Sequence, residues 1–313
     1  MKPLNIENQV EGLFRFEAFK TDENGAEIPG TRRVASDWQK NLILDTGLNR
    51  MATNGDYLDA CQVGSGSSTP ANGQTALDSI VAGANVSSTG AFTPFVSGSA
   101  PYYVGLRRTY PFATGVATGN LSEVGVGWST TGTTLFSRSL IKDSMGNPTS
   151  ITILSDESLD VIYEMRYYAP PSDITGTIVA TGNIGGSYDY ILRSARLAFA
   201  DSNSWNLPFA QSAGPGSGTN LAYSGDIGAV TGSPSGTSAN IGVASSASYV
   251  SGSFQLDRIQ IAAAGVANFG TGLRSMLMKI GIGAYQIQFD PAIPKTNVDQ
   301  VELTIRLSWA RRP

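Results

Sequence analysis

We expect a mainly β fold, built as antiparallel β-sandwich or jelly-roll-like units with long Gly/Ser-rich loops and one short helix near residues 41–52. Residues 301–309 alternate between apolar and polar without a break, which is the period of a half-buried strand. Residues 159–168 alternate in the same way. The 313 residues also include 36 glycines and 15 prolines, which is typical of a chain with many turns.

The first two strands form a predicted hairpin. Residues 13–20 alternate and are rich in aromatic side chains, and residues 31–38 supply the returning strand. Between them lies the pair Asn24 and Gly25, which favours a tight turn.

The segment "NLILDTGLNRM" departs from the strand pattern. Leu42, Leu48 and Met51 fall at loosely helical spacing, and Asn41 is the expected N-cap residue. Gly47 lowers the helix propensity of this segment without removing the helical pattern. We therefore predict one short helix here.

The remaining strands follow from alternation and turn signals. They are predicted in the segments "YYVGLRRTYPF", "TLFSRSLIK", "TSITIL", "SLDVIYEMRYY", "AYQIQF" and "DQVELTIRLSW". Residues 212–253 are dominated by Gly, Ser, Ala and Thr, and we predict long loops with short strands there. Long loops in compact domains are often functional or ordered by a partner.

Two segments of the chain share one plan. "SITILSDESLDVIYEMRYYAPP" and "YQIQFDPAIPKTNVDQVELTIRLSWARRP" each contain a short strand, a polar connector and a long alternating strand. An internal duplication and the ordinary plan of antiparallel domains both explain this likeness. On the first explanation, residues 1–170 form an N-terminal β-domain. Residues 171–313 then form a second β-unit with loops at 212–253 and a C-terminal strand at 300–309.

The composition excludes several classes of function. The chain has no histidine, which removes Ser–His–Asp and Cys–His catalysis and the usual zinc sites. Its net charge is −4, and it shows no basic cluster of the kind that binds nucleic acid. No run of about 18 apolar residues predicts membrane insertion. The N-terminus has no apolar signal region, so we expect assembly in the cytoplasm.

Four patterns in the sequence resemble catalytic, phosphate-binding or metal-binding sites. Ser139 and Lys142 match S-x-x-K by letter, but strand alternation places them on opposite faces. Gly125 and Gly127 lack the third glycine of a dinucleotide site and favour a bulge or a close backbone approach. The pair Asp160 and Glu164, with Arg166 beside it, resembles a glycosidase carboxylate pair, but solvated charges on an outer strand face are commoner. "DENG" at 22–25 lacks the terminal glutamate of a calcium loop.

Two further features are expected to be structural. Trp205, Tyr188 and Tyr190 could form a sugar platform, but large aromatic residues of β-proteins mostly pack in the core. Cys61, the single cysteine, lies in an apolar run and is predicted to be a buried, inert thiol. We therefore expect no catalytic, cofactor-binding or metal-binding residues and no enzymatic activity.

Several segments in order resemble a family of tailed-bacteriophage virion structural proteins, which includes tail, tail-fibre and minor tail proteins. The resemblance rests on "NLILDTGLNRM", "CQVGSGSSTPANGQTAL", "GNLSEVGVGW", "LFSRSLIKDSMGNPTSITILSDESLDVIYEMRYY" and "FDPAIPKTNVDQVELTIRLSW". It implies a non-enzymatic virion component that forms a symmetric homo-oligomer with itself and contacts other phage structural proteins.

The resemblance leaves the position in the virion open. A tail, tail-tip or fibre location, with a role in host attachment, is the main expectation, and a collar or head-decoration protein is the alternative. A glycan-binding or glycan-degrading protein that recognises a host surface glycan or receptor is a second alternative.

Overall fold

The computed structural model describes residues 3–87, 93–198, 205, 220–246 and 248–313. These residues form twenty strands and one α-helix, so the predicted mainly β class is confirmed. The strands before residue 130 are β1 (Leu4–Lys20), β2 (Arg33–Lys40), β3 (Leu42–Ile43), β4 (Ala60–Gly64), β5 (Ile80–Asn85), β6 (Thr93–Val96), β7 (Tyr103–Phe112), β8 (Gly119–Leu121) and β9 (Glu123–Gly127). The later strands are β10 (Leu135–Leu140), β11 (Ile151–Ile153), β12 (Glu157–Tyr168), β13 (Ile174–Val179), β14 (Ser187–Ser194), β15 (Asn220–Tyr223), β16 (Ser238–Ser246), β17 (Gln255–Ala262), β18 (Leu273–Ile280), β19 (Gly283–Ile293) and β20 (Val301–Arg311).

The chain divides into two compact units that differ from a single cut at residue 170. The first unit contains Met1–Gln9, Pro94–Val104 and Tyr167–Ala310, and the second contains Val10–Thr93, Gly105–Arg166 and Arg311–Pro313. One crossing, between residues 166 and 167, lies near the predicted boundary. That crossing lies within β12, and the others lie within β1, β6, β7 and β20, each of which contributes residues to both units.

The second unit contains the predicted N-terminal hairpin. β1 pairs with β2 in antiparallel fashion, with Ala18 opposite Arg33, and Thr21 bridges Glu27 next to the turn. A five-stranded antiparallel sheet follows the order β3-β10-β9-β4-β5, and β8 pairs with β11. The inward apolar residues of β1 and β12 in this unit are buried, as alternation predicts: Phe14, Phe16 and Ala18 of β1, and Leu159, Val161, Tyr163 and Met165 of β12.

The helix α1 (Asp45–Thr53) begins four residues later than Asn41, the expected N-cap. Leu44 holds the N-cap position, and its side chain caps no backbone group. Asn41 instead continues the extended chain, where its N–H donates to Gly12 O. A Cβ on Gly47 would lie 2.2 Å from Phe136 O. The glycine that lowers helix propensity therefore lets the helix approach β10 closely.

The first unit is a long antiparallel sheet in the order β13-β14-β19-β18-β15-β16-β17-β20. β17 and β20 pair over eight consecutive residues. The alternation predicted for residues 301–309 is confirmed, since the apolar set is buried: Val301, Leu303, Ile305, Leu307 and Trp309. Within residues 212–253 the structure describes 220–246 and 248–253, and β15 and β16 are interior strands there.

Candidate functional site

A fully buried ion pair joins β9 to β10 in the second unit. Glu123 and Arg138 are each 0% exposed to solvent. Arg138 donates to Glu123 Oε2 from Nη2 at 2.7 Å and from Nε at 3.2 Å. Removing two opposite charges from water costs free energy. Their attraction offsets that cost only if further hydrogen bonds satisfy the other carboxylate oxygen and the other N–H groups.

Those further hydrogen bonds come from the connection between β4 and β5, residues 65–79. Glu123 Oε1 accepts from the backbone N–H of Gly66 at 2.9 Å and of Ser79 at 2.8 Å. Glu123 Oε2 also accepts from the N–H of Asp78 at 3.1 Å. A Cβ on Gly66 would lie 2.3 Å from Glu123 Oε1. The glycine of "GSG" therefore lets the backbone reach the carboxylate.

Arg138 contacts side chains of the same connection between β4 and β5. Its Nη1 donates to Gln74 Oε1 at 2.7 Å and to Ser68 Oγ at 3.1 Å, and its Nη2 lies 2.9 Å from Asp78 Oδ2. The pKa of Asp78 is lowered, first by hydrogen bonds from Ser68 and then by the charge of Arg138. We call Glu123, Arg138, Asp78, Ser68 and Gln74 the ion-pair cluster.

Hydrogen bonds within the ion-pair cluster occupy the carboxylate of Glu123 and the guanidinium of Arg138. Glu123 accepts five hydrogen bonds, which uses the lone pairs that a general base or a nucleophile would need. Every nitrogen of the Arg138 guanidinium has an acceptor. The cluster therefore anchors a long connection to the sheet.

The S-x-x-K residues form no nucleophile and base pair. The hydroxyl of Ser139 is buried and donates to Leu140 O at 2.7 Å. Lys142 lies beyond the end of β10, where its backbone N–H donates to Gln39 Oε1 at 2.7 Å. Gly125 and Gly127 show the predicted close approach, since a Cβ on Gly127 would lie 1.8 Å from Thr134 O.

The carboxylates of β12 differ from the solvated charges that we expected. Glu164 is buried, and it binds Arg107 at 2.7 Å and Arg166 at 2.6 Å. Asp160 is half-buried and binds Arg32 Nη1 at 2.9 Å. Burial raises the pKa of Asp160, while Arg32 opposes the rise. The expectation failed because long arginine side chains from β7 and from the β1–β2 connection cover this face.

The aromatic residues weighed as a sugar platform do not form one surface. Trp205 is fully buried, donates from Nε1 to Ala195 O at 2.7 Å and packs against Tyr285 at 5.5 Å between ring centroids. Tyr188 is also buried, whereas Tyr190 is partly exposed. The expectation of core packing is confirmed for Trp205 and Tyr188.

The other sequence candidates are also structural in the described residues. Asp22 Oδ1 accepts from the N–H of Asn24 and of Ala26, both at 2.9 Å, so "DENG" forms a hairpin turn. Cys61 is fully buried as predicted, and burial raises the pKa of its thiol. Within the described ranges, no three His, Cys, Asp or Glu side chains are grouped to hold a metal ion.

The described part of the chain contains no helix that is long and apolar enough to cross a membrane. Comparison with family models, with curated proteins and with solved structures finds no significant match to this chain.

The ion-pair cluster is the feature that sequence reasoning missed. Its signal is visible in retrospect, since Glu123 begins a small and apolar strand and Arg138 interrupts another. Strand periodicity alone could not pair these two charges, because pairing depends on which strands are neighbours.

Proposed function

We propose that this chain is a non-enzymatic structural component of a tailed-bacteriophage virion, associated with the tail, tail tip or fibre, and that it works as a symmetric homo-oligomer. The proposal starts from the resemblance of several ordered segments to that family. It is supported by where those segments lie in the fold.

One observation carries the proposal most strongly. Parts of four segments meet in one module, because "NLILDTGLNRM" forms β3 and most of α1, "CQVGSGSSTPANGQTAL" forms β4 and its connection, "GNLSEVGVGW" contains β9, and the fourth segment begins with "LFSRSLIK", which forms β10. The ion-pair cluster ties three of these segments together. The resemblance therefore concerns a folded unit and not scattered short matches.

The chemistry of the buried charges also favours a scaffold. Glu123 and Glu164 are buried carboxylates, and a buried carboxylate is the kind of group that can act as a general acid or base. Each of them forms an ion pair with arginine. A general acid or base must reach a proton on its substrate at hydrogen-bond distance. Carboxylates already enclosed by guanidinium groups are better suited to holding strands together.

The virion role is tested on particles purified from a phage lysate that contains the chain. Particles are banded on a density gradient, and the chain is quantified by mass spectrometry against the major capsid protein. We expect the chain to band with the particles at a fixed ratio. Immunogold labelling then separates tail, collar and head positions. A chain that stays in the soluble fraction would overturn the virion role.

The non-enzymatic part is tested separately. Host surface polysaccharide is incubated with the wild-type chain and with Glu164→Gln, and the release of reducing ends is measured. We expect no turnover by either protein. Turnover by the wild type that is lost in Glu164→Gln would favour the glycan-degrading alternative instead.

A further inference from the structure

Among the described residues, no strand pairs with the edge of β13 that faces away from β14. β13 pairs with β14 over six consecutive residues without a register shift, and it is the end strand of the sheet in the first unit. The N–H of Ala180 donates to Gly186 O at 2.9 Å, which fixes the alternation of hydrogen bonds in this hairpin. The N–H and C=O groups of Thr175, Thr177 and Val179 therefore point away from β14.

These outward groups lie in an exposed and uncharged strand. Thr175 and Thr177 are exposed, and Val179 is 65% exposed. The strand sequence "ITGTIV" contains no charge and no proline, and it is rich in β-branched residues. Among the described residues, none forms a backbone hydrogen bond to the outward groups of this strand.

Two other end strands, β6 of the large sheet and β5 of the five-stranded sheet, carry devices that block edge pairing. β6 contains Pro94, and β5 has a register shift between the partners of Val63 and Gly64. Natural sheets use prolines, charges and bulges in this way to prevent association through their edges. β13 has none of the three, so its open edge is consistent with a strand that is paired in the working assembly.

We propose that β13 pairs with β13 of a second copy of this chain, antiparallel and centred on Thr177. This deepens the proposed function, on which it rests, by naming an assembly surface. In that register Thr177 faces Thr177 of the second copy, and Thr175 faces Val179. The three outward residues of each copy donate three and accept three hydrogen bonds, so the pair shares six. The two-fold symmetry makes the contact self-complementary.

The side chains favour this register. Thr–Thr and Thr–Val are favourable cross-strand pairs, and Gly176 would lie opposite Ile178, so a small residue meets a large one. The nearest carboxylate, Asp189, accepts from Thr177 Oγ1 at 2.6 Å on the neighbouring strand. Two copies of Asp189 would lie three strand spacings apart, about 14 Å, which exceeds the screening length of about 8 Å.

Disulfide trapping tests the register directly. Residues that face each other in a hydrogen-bonded antiparallel pair have Cα atoms about 5.5 Å apart, which a disulfide can span. Thr177→Cys should therefore form a covalent dimer under mild oxidation. Thr175→Cys is the matched control, because two copies of residue 175 would lie more than about 13 Å apart. Mixing Thr175→Cys with Val179→Cys should restore the cross-link. Cys61 is fully buried, so the wild type supplies the background.

A charge variant tests the same contact without oxidation. Thr177→Lys places two ammonium groups opposite each other on the axis and should raise the dimer dissociation constant about fivefold or more in sedimentation velocity. Thr133→Lys adds the same charge at an exposed position of the second unit and should leave the dissociation constant unchanged. Equal denaturation midpoints for all variants and the wild type show that folding is intact.

The outcomes separate the assembly surface from the virion role. A wild type that remains monomeric, or Thr175→Cys cross-linking as fast as Thr177→Cys, would overturn the β13 pairing. A chain that bands with particles but does not cross-link through residue 177 would overturn the pairing and leave the virion role standing. A chain that cross-links through residue 177 but is absent from particles would support the pairing and overturn the virion role.

Discussion

Replacing Glu123 by glutamine should strongly destabilise the second unit. The change preserves the size of the side chain but removes the charge that faces Arg138 at 2.7 Å. Oε1 accepts two backbone N–H groups, while Oε2 accepts a third and two N–H groups of Arg138. In either orientation the new NH2 group therefore points at two or more donors, and several buried groups lose their partners.

The magnitude follows from that geometry. Removal of one partner from a buried ion pair typically costs about 3–5 kcal/mol, because the other charge stays buried without compensation. Folded domains are stable by only about 5–15 kcal/mol in total. Urea denaturation, followed by circular dichroism and by tryptophan fluorescence, to which Trp128 beside β9 contributes, should show a large fall in the midpoint.

Two further variants identify the cause. Arg138→Met should destabilise by a similar amount, and the double variant should lose less than the sum of the single losses, because both changes act on one pair. Lys20→Met breaks the exposed pair with Asp156, whose atoms are 2.7 Å apart, and should lower the midpoint far less than Glu123→Gln does. If Glu123→Gln unfolds at the wild-type urea concentration, the ion-pair cluster does not hold the β4–β5 connection.

Three other predictions concern the core, the glycines and pH. Leu303→Ala should cost about 2–5 kcal/mol in urea titration, whereas exposed Glu302→Ala should cost little, and equal losses would refute the strand assignment. Gly127→Ala should destabilise by about 1–3 kcal/mol or more, because the new Cβ would lie against the backbone of Thr134. Gly73→Ala is the control, because its Cβ would meet no atom within 4 Å and should not destabilise the fold. Similar urea midpoints for both variants would contradict the close approach at Gly127. Carboxyl groups with lowered pKa values bind fewer protons in the folded than in the unfolded state, so their stabilisation is present above the usual carboxyl pKa. The urea midpoint should therefore fall below about pH 4, with Asp160 opposing the trend because its pKa is raised, and a pH-independent midpoint would refute this. The groups with lowered pKa are Glu27, Asp78, Asp143, Asp156, Glu157, Asp257 and Asp299, and the group with raised pKa is Asp160.

Sequence periodicity predicted the strands whose two faces differ. Leu303 and Glu302 alternate because one side of β20 is buried and the other is exposed. β9 and β10 are buried on both faces, so their sequences carry no alternation of exposure. That is why "TLFSRSLIK" could be assigned to a strand, but Glu123 and Arg138 could not be assigned to a common site.

The division of the chain could not be predicted for a related reason. A boundary at 170 assumes that contiguous sequence folds into contiguous units. In the structure β1 gives Leu4 to one unit and Phe14 to the other, and β12 is divided in the same manner. Long strands of 12 to 17 residues make this possible, and local sequence patterns do not record which partner a strand meets along its length.

The distribution of charge connects the core to the proposed assembly. Only 15% of the residues are charged, and some of them form ion pairs in the interior, such as Glu123 with Arg138, or pair a buried carboxylate with a more exposed arginine, such as Glu164 with Arg107. The exposed edge of β13 receives threonine and valine instead. Charged residues are depleted where protein interfaces are fully buried, because their desolvation is costly. A neutral strand edge exposed on a chain with so few charges is better suited to a surface covered by its own copies than to one that always faces water.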